Sequence, residues 1–127
     1  MAILVIDETT FGDRTEVLSL DSAALQLTAA ELIEMRVREE VGRLNRRTTS
    51  LLVQPSALED ALNSEAKSKF VPHLSEDEQV FKALKAFSNG DFLLLVNSQQ
   101  VMELSESIPL GEASEAAFIR IIPLVGG

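Results

Sequence analysis

The chain has no cysteine, no tryptophan, no tyrosine and a single histidine, His73. The lack of cysteine excludes disulfides, thiolate metal sites, a thiol nucleophile and any thioester on the chain's own side chains. The other absences leave few catalytic bases and no Tyr or Trp platform for stacking. Basic residues are scarce: 11 Lys and Arg against 20 Asp and Glu, a net charge of -9. Most of such a surface repels a polyanion, which argues against nucleic acid or an anionic membrane as partner and suits a basic docking partner. No apolar run approaches the roughly 18–20 residues of a membrane span. Met1-Ala2-Ile3-Leu4-Val5 lacks the basic stretch that opens a signal peptide. A cytoplasmic protein is expected. There is no phosphate loop, no Gly-rich nucleotide fingerprint and no Ser/His/Asp set, so no catalysis by this chain alone is expected.

What is present is ordinary for a globular protein. The 127 residues are 46% hydrophobic and 24% charged, which fits one domain spanning 1–127. Ala2–Asp7 reads as a strand and Arg14–Leu20 as its hairpin partner across Gly12-Asp13. Thr28-Ala29-Ala30-Glu31 fits a capping box, and Ile33, Val37, Val41 and Leu44 form a helical stripe, predicting a helix over about 29–46. Ser50–Gln54 reads as an edge strand stopped by Pro55, Ala57–Leu62 as a short helix capped by Ser56, and Asn63–Pro72 as a loop. Ser75-Glu76-Asp77-Glu78 opens a second helix with Val80, Phe81, Leu84 and Phe87 on its apolar face, closed by Asn89-Gly90. Asp91–Asn97 reads as a strand buried on both faces, Asn97–Gln100 as a turn, Val101–Leu104 as a returning strand and Ala116–Ile122 as the last strand. The expected core holds Ile3, Val5, Val17, Ile33, Val37, Val41, Phe81, Leu84, Leu94, Val96, Phe118 and Ile121. The pattern predicts an α+β sheet with helices on one face.

The most informative residues are the last. Phe118-Ile119-Arg120-Ile121-Ile122-Pro123-Leu124-Val125-Gly126-Gly127 ends a predicted strand in a diglycine after a short apolar spacer. This tail resembles that of the ubiquitin-like β-grasp superfamily, which includes ubiquitin and the sulfur carriers of molybdopterin and thiamine synthesis. Leu95–Val101, the N-terminal hairpin and Leu27–Ile33 are similar to the same superfamily. The resemblance covers roughly 1–47 and 90–127. It implies a β-grasp mixed sheet with a crossover helix, an insertion at about 48–89 carrying the second helix, and a free tail over 123–127.

The resemblance also implies a role. A partner activating enzyme, using its own ATP and Mg²⁺, would adenylate the carboxylate of Gly127. The acyl group would then pass on as a thioester or thiocarboxylate, for protein conjugation or sulfur transfer. No cofactor is expected on this chain. Gly126 and Gly127 lack side chains and suit a narrow channel on that partner. Pro123 would stiffen the exit from the sheet, and Leu124 and Val125 would fill apolar pockets or else finish the core. Ubiquitin-type tails carry arginines beside the diglycine, whereas this one has Leu124-Val125, with Arg120 further back. That departure leans toward the sulfur-carrier style or a bacterial variant. The alternative is a non-catalytic β-grasp binding module with an inert tail.

Three other features invite a functional reading. Arg36, Arg43 and Arg47 recur at spacings of seven and four, with Arg46 nearby, and could dock an acidic partner or a phosphate; a solvated face with i,i+4 partners is the plainer account. His73 has no second histidine or cysteine to share a metal with and reads as exposed or locally bonded. Glu76-Asp77-Glu78 lacks the ligand spacing of a calcium loop and reads as a helix N-terminus, so no metal site is expected.

Overall fold

Along the chain follow β1 (Ala2–Thr9), β2 (Arg14–Asp21), β3 (Gln26–Thr28), α1 (Ala29–Val53), α2 (Glu76–Ser88), β4 (Phe92–Val96), β5 (Gln99–Val101), β6 (Ser107–Pro109) and β7 (Ala113–Arg120). The computed structural model describes residues 1–53 and 73–121, with 48–53 given by backbone alone. The Ser56-capped helix and the 63–72 loop expected from sequence lie outside these residues, as does the tail from Ile122 onward.

Five strands form one mixed sheet in the order β2-β1-β7-β4-β5. β1 and β7 run parallel, Ile3 opposite Ser114 and Asp7 opposite Phe118; the remaining pairings are antiparallel. β3 and β6 form a separate antiparallel pair. One face of the sheet, with Ile3, Val5, Leu94, Val96, Ala116 and Phe118, packs against Leu32 and Ile33 of α1 and Phe87 of α2. The fold is therefore α+β, a mixed sheet with both helices on one side.

Local chemistry explains each element. The β1–β2 hairpin turns at Gly12, whose φ of +92° is open to glycine at no steric cost. The register shifts between Val5 and Ile6, pairing Val5 with Leu18 but Ile6 with Glu16. Val17 is the extra residue of this bulge, so Leu18 and Leu20 are buried while Val17 packs at the core's margin.

The capping box of α1 forms as expected. Thr28 N–H and its hydroxyl both donate to Glu31 Oε1 at 3.0 Å, and Glu31 N–H donates to Thr28 Oγ1 at 3.1 Å. Ala29 and Ala30 N–H donate to the carbonyls of Glu106 and Leu104, which satisfies the next free amides of the helix start.

Several expectations are corrected. α1 runs to Val53, so Ser50–Val53 is helix and not an edge strand. A three-residue apolar run, Leu51-Leu52-Val53, does not distinguish the two states, and no glycine or proline stands between Leu44 and Val53 to stop the helix. Phe81 is 67% exposed, because the buried stripe of α2 falls on Val80, Leu84 and Phe87. Ile121 is 43% exposed, one residue past the end of β7. The returning strand starts earlier, at Gln99, because Asn97 (φ 49°) and Ser98 (φ 69°) make a two-residue turn in the left-handed region. On β4, Leu94 and Val96 are buried, but Leu93 and Leu95 on the far face are only half-buried.

No helix among the described residues is long and apolar enough to cross a membrane.

Candidate functional site

The five residues singled out at the C-terminus, Pro123, Leu124, Val125, Gly126 and Gly127, lie outside the described residues. Their root is described. β7 is held on both sides up to its last residue: Arg120 pairs with Thr9 of β1 and Phe92 of β4. Thr10 N–H adds a bond of 3.2 Å to the Arg120 carbonyl. Beside this point the hairpin tip is closed by Gly12 N–H to the Thr9 carbonyl (2.9 Å) and Thr9 N–H to the Asp13 carbonyl (3.0 Å). Phe11 at the tip is 64% exposed.

At this same end the layers part and leave a cleft of about 450 Å³. Its apolar walls are Ile33 and Val37 of α1, Ala83 of α2, Phe92 of β4 and Phe118 of β7. Asp7, Glu8, Asp13 and Asp91 stand around it, and Arg120 completes it on the side where the chain leaves the sheet.

Arg36 lies in this cleft and is only 14% exposed. Its guanidinium makes a two-pronged contact with Asp7, Nη1 to Oδ1 at 2.6 Å and Nη2 to Oδ2 at 2.8 Å, while Nε donates to Glu40. It also lies 4.5 Å from the centre of the Phe118 ring. Burial alone would lower its pKa, but the bonds to Asp7 and Glu40 outweigh that and raise it, so the charge is permanent. Phe118 in turn meets Phe92 at 5.7 Å, and Phe92 meets Phe87 at 5.8 Å. Four elements are joined through this chain of rings.

The basic docking face expected from sequence is therefore smaller. Arg36 is turned inward and does not belong to it. Arg43 is half-exposed and bonded to Glu39 at 2.9 Å. Arg46 and Arg47 are exposed. Arg38, by contrast, bonds Glu34, Glu76 and Asp77, which ties the start of α2 to α1 and raises its pKa, first through Asp77 and then Glu34. Glu76 and Asp77 thus have a structural role at a helix N-terminus. His73 is exposed beside Arg38, Asn45 and Asp77. No group of metal-binding side chains occurs among the described residues.

Sequence reasoning missed the pairing of Asp7 with Arg36. One signal was present: Ile3, Val5 and Asp7 share one face of β1, so a carboxylate follows two core residues on the face that meets the helices.

On the far face of the sheet, Arg14 reaches Glu8 at 2.8 Å and Glu115 at 2.6 Å. By register Ile6 lies between the levels of these two carboxylates, and it is fully buried there.

No protein-family model, curated protein or solved structure matches this chain.

Proposed function

We propose that this chain is a ubiquitin-like β-grasp carrier or modifier whose C-terminal Gly127 is activated by a partner enzyme. The observation that carries the reading is the position of β7. It lies at the centre of the mixed sheet, parallel to β1, and ends at a rigidly held Arg120 from which Ile121–Gly127 continues. The strand order, the crossover by α1 and the diglycine are mutually consistent with a β-grasp carrier. The described residues offer a means of holding and presenting a chain end.

In this reading a carboxylate oxygen of Gly127 attacks the α-phosphorus of ATP on the partner, and pyrophosphate leaves. A sulfur nucleophile then attacks the acyl carbon, and AMP leaves. That sulfur cannot come from this chain, which has no cysteine. The product is a thioester on the partner or a thiocarboxylate on Gly127, for conjugation or sulfur transfer respectively.

The test is intact and tryptic mass spectrometry of protein drawn from its native host. A species with one terminal oxygen replaced by sulfur supports a sulfur carrier. A branched peptide carrying Ile121–Gly127, the remnant of cleavage after Arg120, supports a conjugated modifier. Unmodified chain alone, with the activating pathway expressed, overturns both and favours a binding module with an inert tail.

A further inference from the structure

We infer that Asn89–Gly90, in the link between α2 and β4, is a site of spontaneous covalent modification, where Asn89 closes on the backbone and becomes aspartate or isoaspartate. Asn45, Asn89 and Asn97 are the asparagines among the described residues, and their surroundings differ. Asn45 is buried, with both ends of its carboxamide bonded to Leu74. Asn97 is exposed, but its Oδ1 accepts from the Glu115 N–H at 2.9 Å and its Nδ2 donates to Ser114 Oγ at 3.5 Å. Asn89 is exposed, and its carboxamide bonds to none of the described residues. Gly90 follows it, also exposed, so no side chain shields the backbone nitrogen that must attack. After Asn97 stands Ser98, which does carry a side chain.

The chemistry balances with water alone. The Gly90 nitrogen attacks Asn89 Cγ, the Cγ–Nδ2 bond breaks, and the Gly90 N–H proton leaves with the amine as ammonia. Water then opens the five-membered ring at either carbonyl. One opening gives aspartate; the other routes the chain through the side-chain carboxyl and gives isoaspartate. The fold sets the rate. Gly90, at φ +78°, donates its N–H to the Phe87 carbonyl at 3.0 Å, and Asp91 N–H donates to the Ala86 carbonyl at 2.9 Å, a paired closure of the helix end. The ring closes only after the Asn89–Gly90 peptide rotates out of this cap, which needs opening of the last turn and not of the whole molecule. Both products place a carboxylate at the negative end of the α2 dipole, beside Asp91. Isoaspartate also adds a backbone carbon to the short link from Ser88 to Phe92. Phe87 and Phe92 meet at 5.8 Å across that link, so modification loosens a wall of the cleft. None of this depends on the carrier reading.

The experiment ages the full chain at mildly alkaline pH, folded and in urea, and digests it with trypsin. Cleavage after Lys85 and Arg120 releases one peptide, 86–120, so fragmentation compares Asn89 with Asn97 in the same molecule. The expected result in the folded chain is the mass gain of an amide turned acid at Asn89 well before Asn97. Part of the product accepts a methyl group from an isoaspartyl methyltransferase, and its Gly90 and Asp91 amides exchange faster. Urea speeds the reaction at Asn89. Asn89→Gln, which would have to close a larger ring, keeps the fold and loses the signal at that position. Gain at Asn97 as early as at Asn89 in the folded chain overturns the inference. Conversion at Asn89 in urea alone also overturns it, because the cap then never opens far enough. Conversion with no methyl-accepting product overturns the ring route.

Discussion

A single carboxylate decides what Arg36 does. Asp7 occupies the third inward position of β1, and Arg36 leaves the helix surface to meet it and to cover the Phe118 ring. Phe118 is 8% exposed and joins β7 to both Arg36 and Phe92. Phe118→Ala should therefore cost about 3–5 kcal/mol, read as a lower urea midpoint with an unchanged slope. Glu31 gives a test through pH. Its carboxylate is held below the ordinary 4.5 by the Thr28 N–H and then by the Thr28 hydroxyl. A carboxyl group whose pKa falls on folding adds stability that is complete above the unfolded value and is lost as pH drops through the folded one. The capping contribution is thus whole at neutral pH and disappears below about 4.5. Glu31→Gln should destabilise at neutral pH, and the gap from wild type should close as the solution is acidified, measured by urea melts across that range. At this scale the capping box was legible because both partners lie within four residues. The Asp7–Arg36 pair was not, because its two ends are 29 residues apart.

Elements were legible where one period dominated. The stripe of α1, the Ser75 cap and the apolar run of β4 all stand in the structure, whereas β3 and β6, each three residues long, are too short to show alternation. Phe81 was expected on the apolar face of α2 together with Val80; Val80, Leu84 and Phe87 keep the i, i+4, i+7 spacing of one stripe, and Phe81, one residue round from Val80, is left exposed. The junction between the helices depends on Asn45, which is 7% exposed and holds Leu74 from both sides. Its Nδ2 donates to the Leu74 carbonyl and its Oδ1 accepts from the Leu74 N–H, each at 3.0 Å. Asn45→Ala removes both partners at once, and leaving such groups unmet costs about 1–3 kcal/mol. The expected outcome is faster amide exchange at Leu74 and through the first turn of α2, with little change in β1 or β7. Uniform acceleration across the sheet would contradict a local clamp.

At the scale of the molecule, stability and the proposed activity are assigned to different parts of the chain. The core lies between the sheet and the helices, and in sequence the diglycine comes after the last core residue, Phe118. Deleting Gly126 and Gly127 should leave the urea midpoint unchanged while abolishing the modified species in mass spectra of the native host. A matching loss of folding would contradict the separation. The order of strands could not be read from sequence, since the neighbours in the sheet are more than a hundred residues apart in β1 and β7. That pairing also governs how the molecule bears load. All eight residues of β1 lie alongside β7 in parallel. Tension applied at the start of β1 and the end of β7 pulls the two strands in opposite directions along their length, so their ladder must give way in shear, all bonds together. Tension applied across the β1–β2 hairpin from its open end, at Ala2 and Asp21, peels bonds one at a time. Single-molecule pulling should find much higher rupture force for the first geometry. A protein tethered by its tail would then hold its fold against a pull from the opposite end.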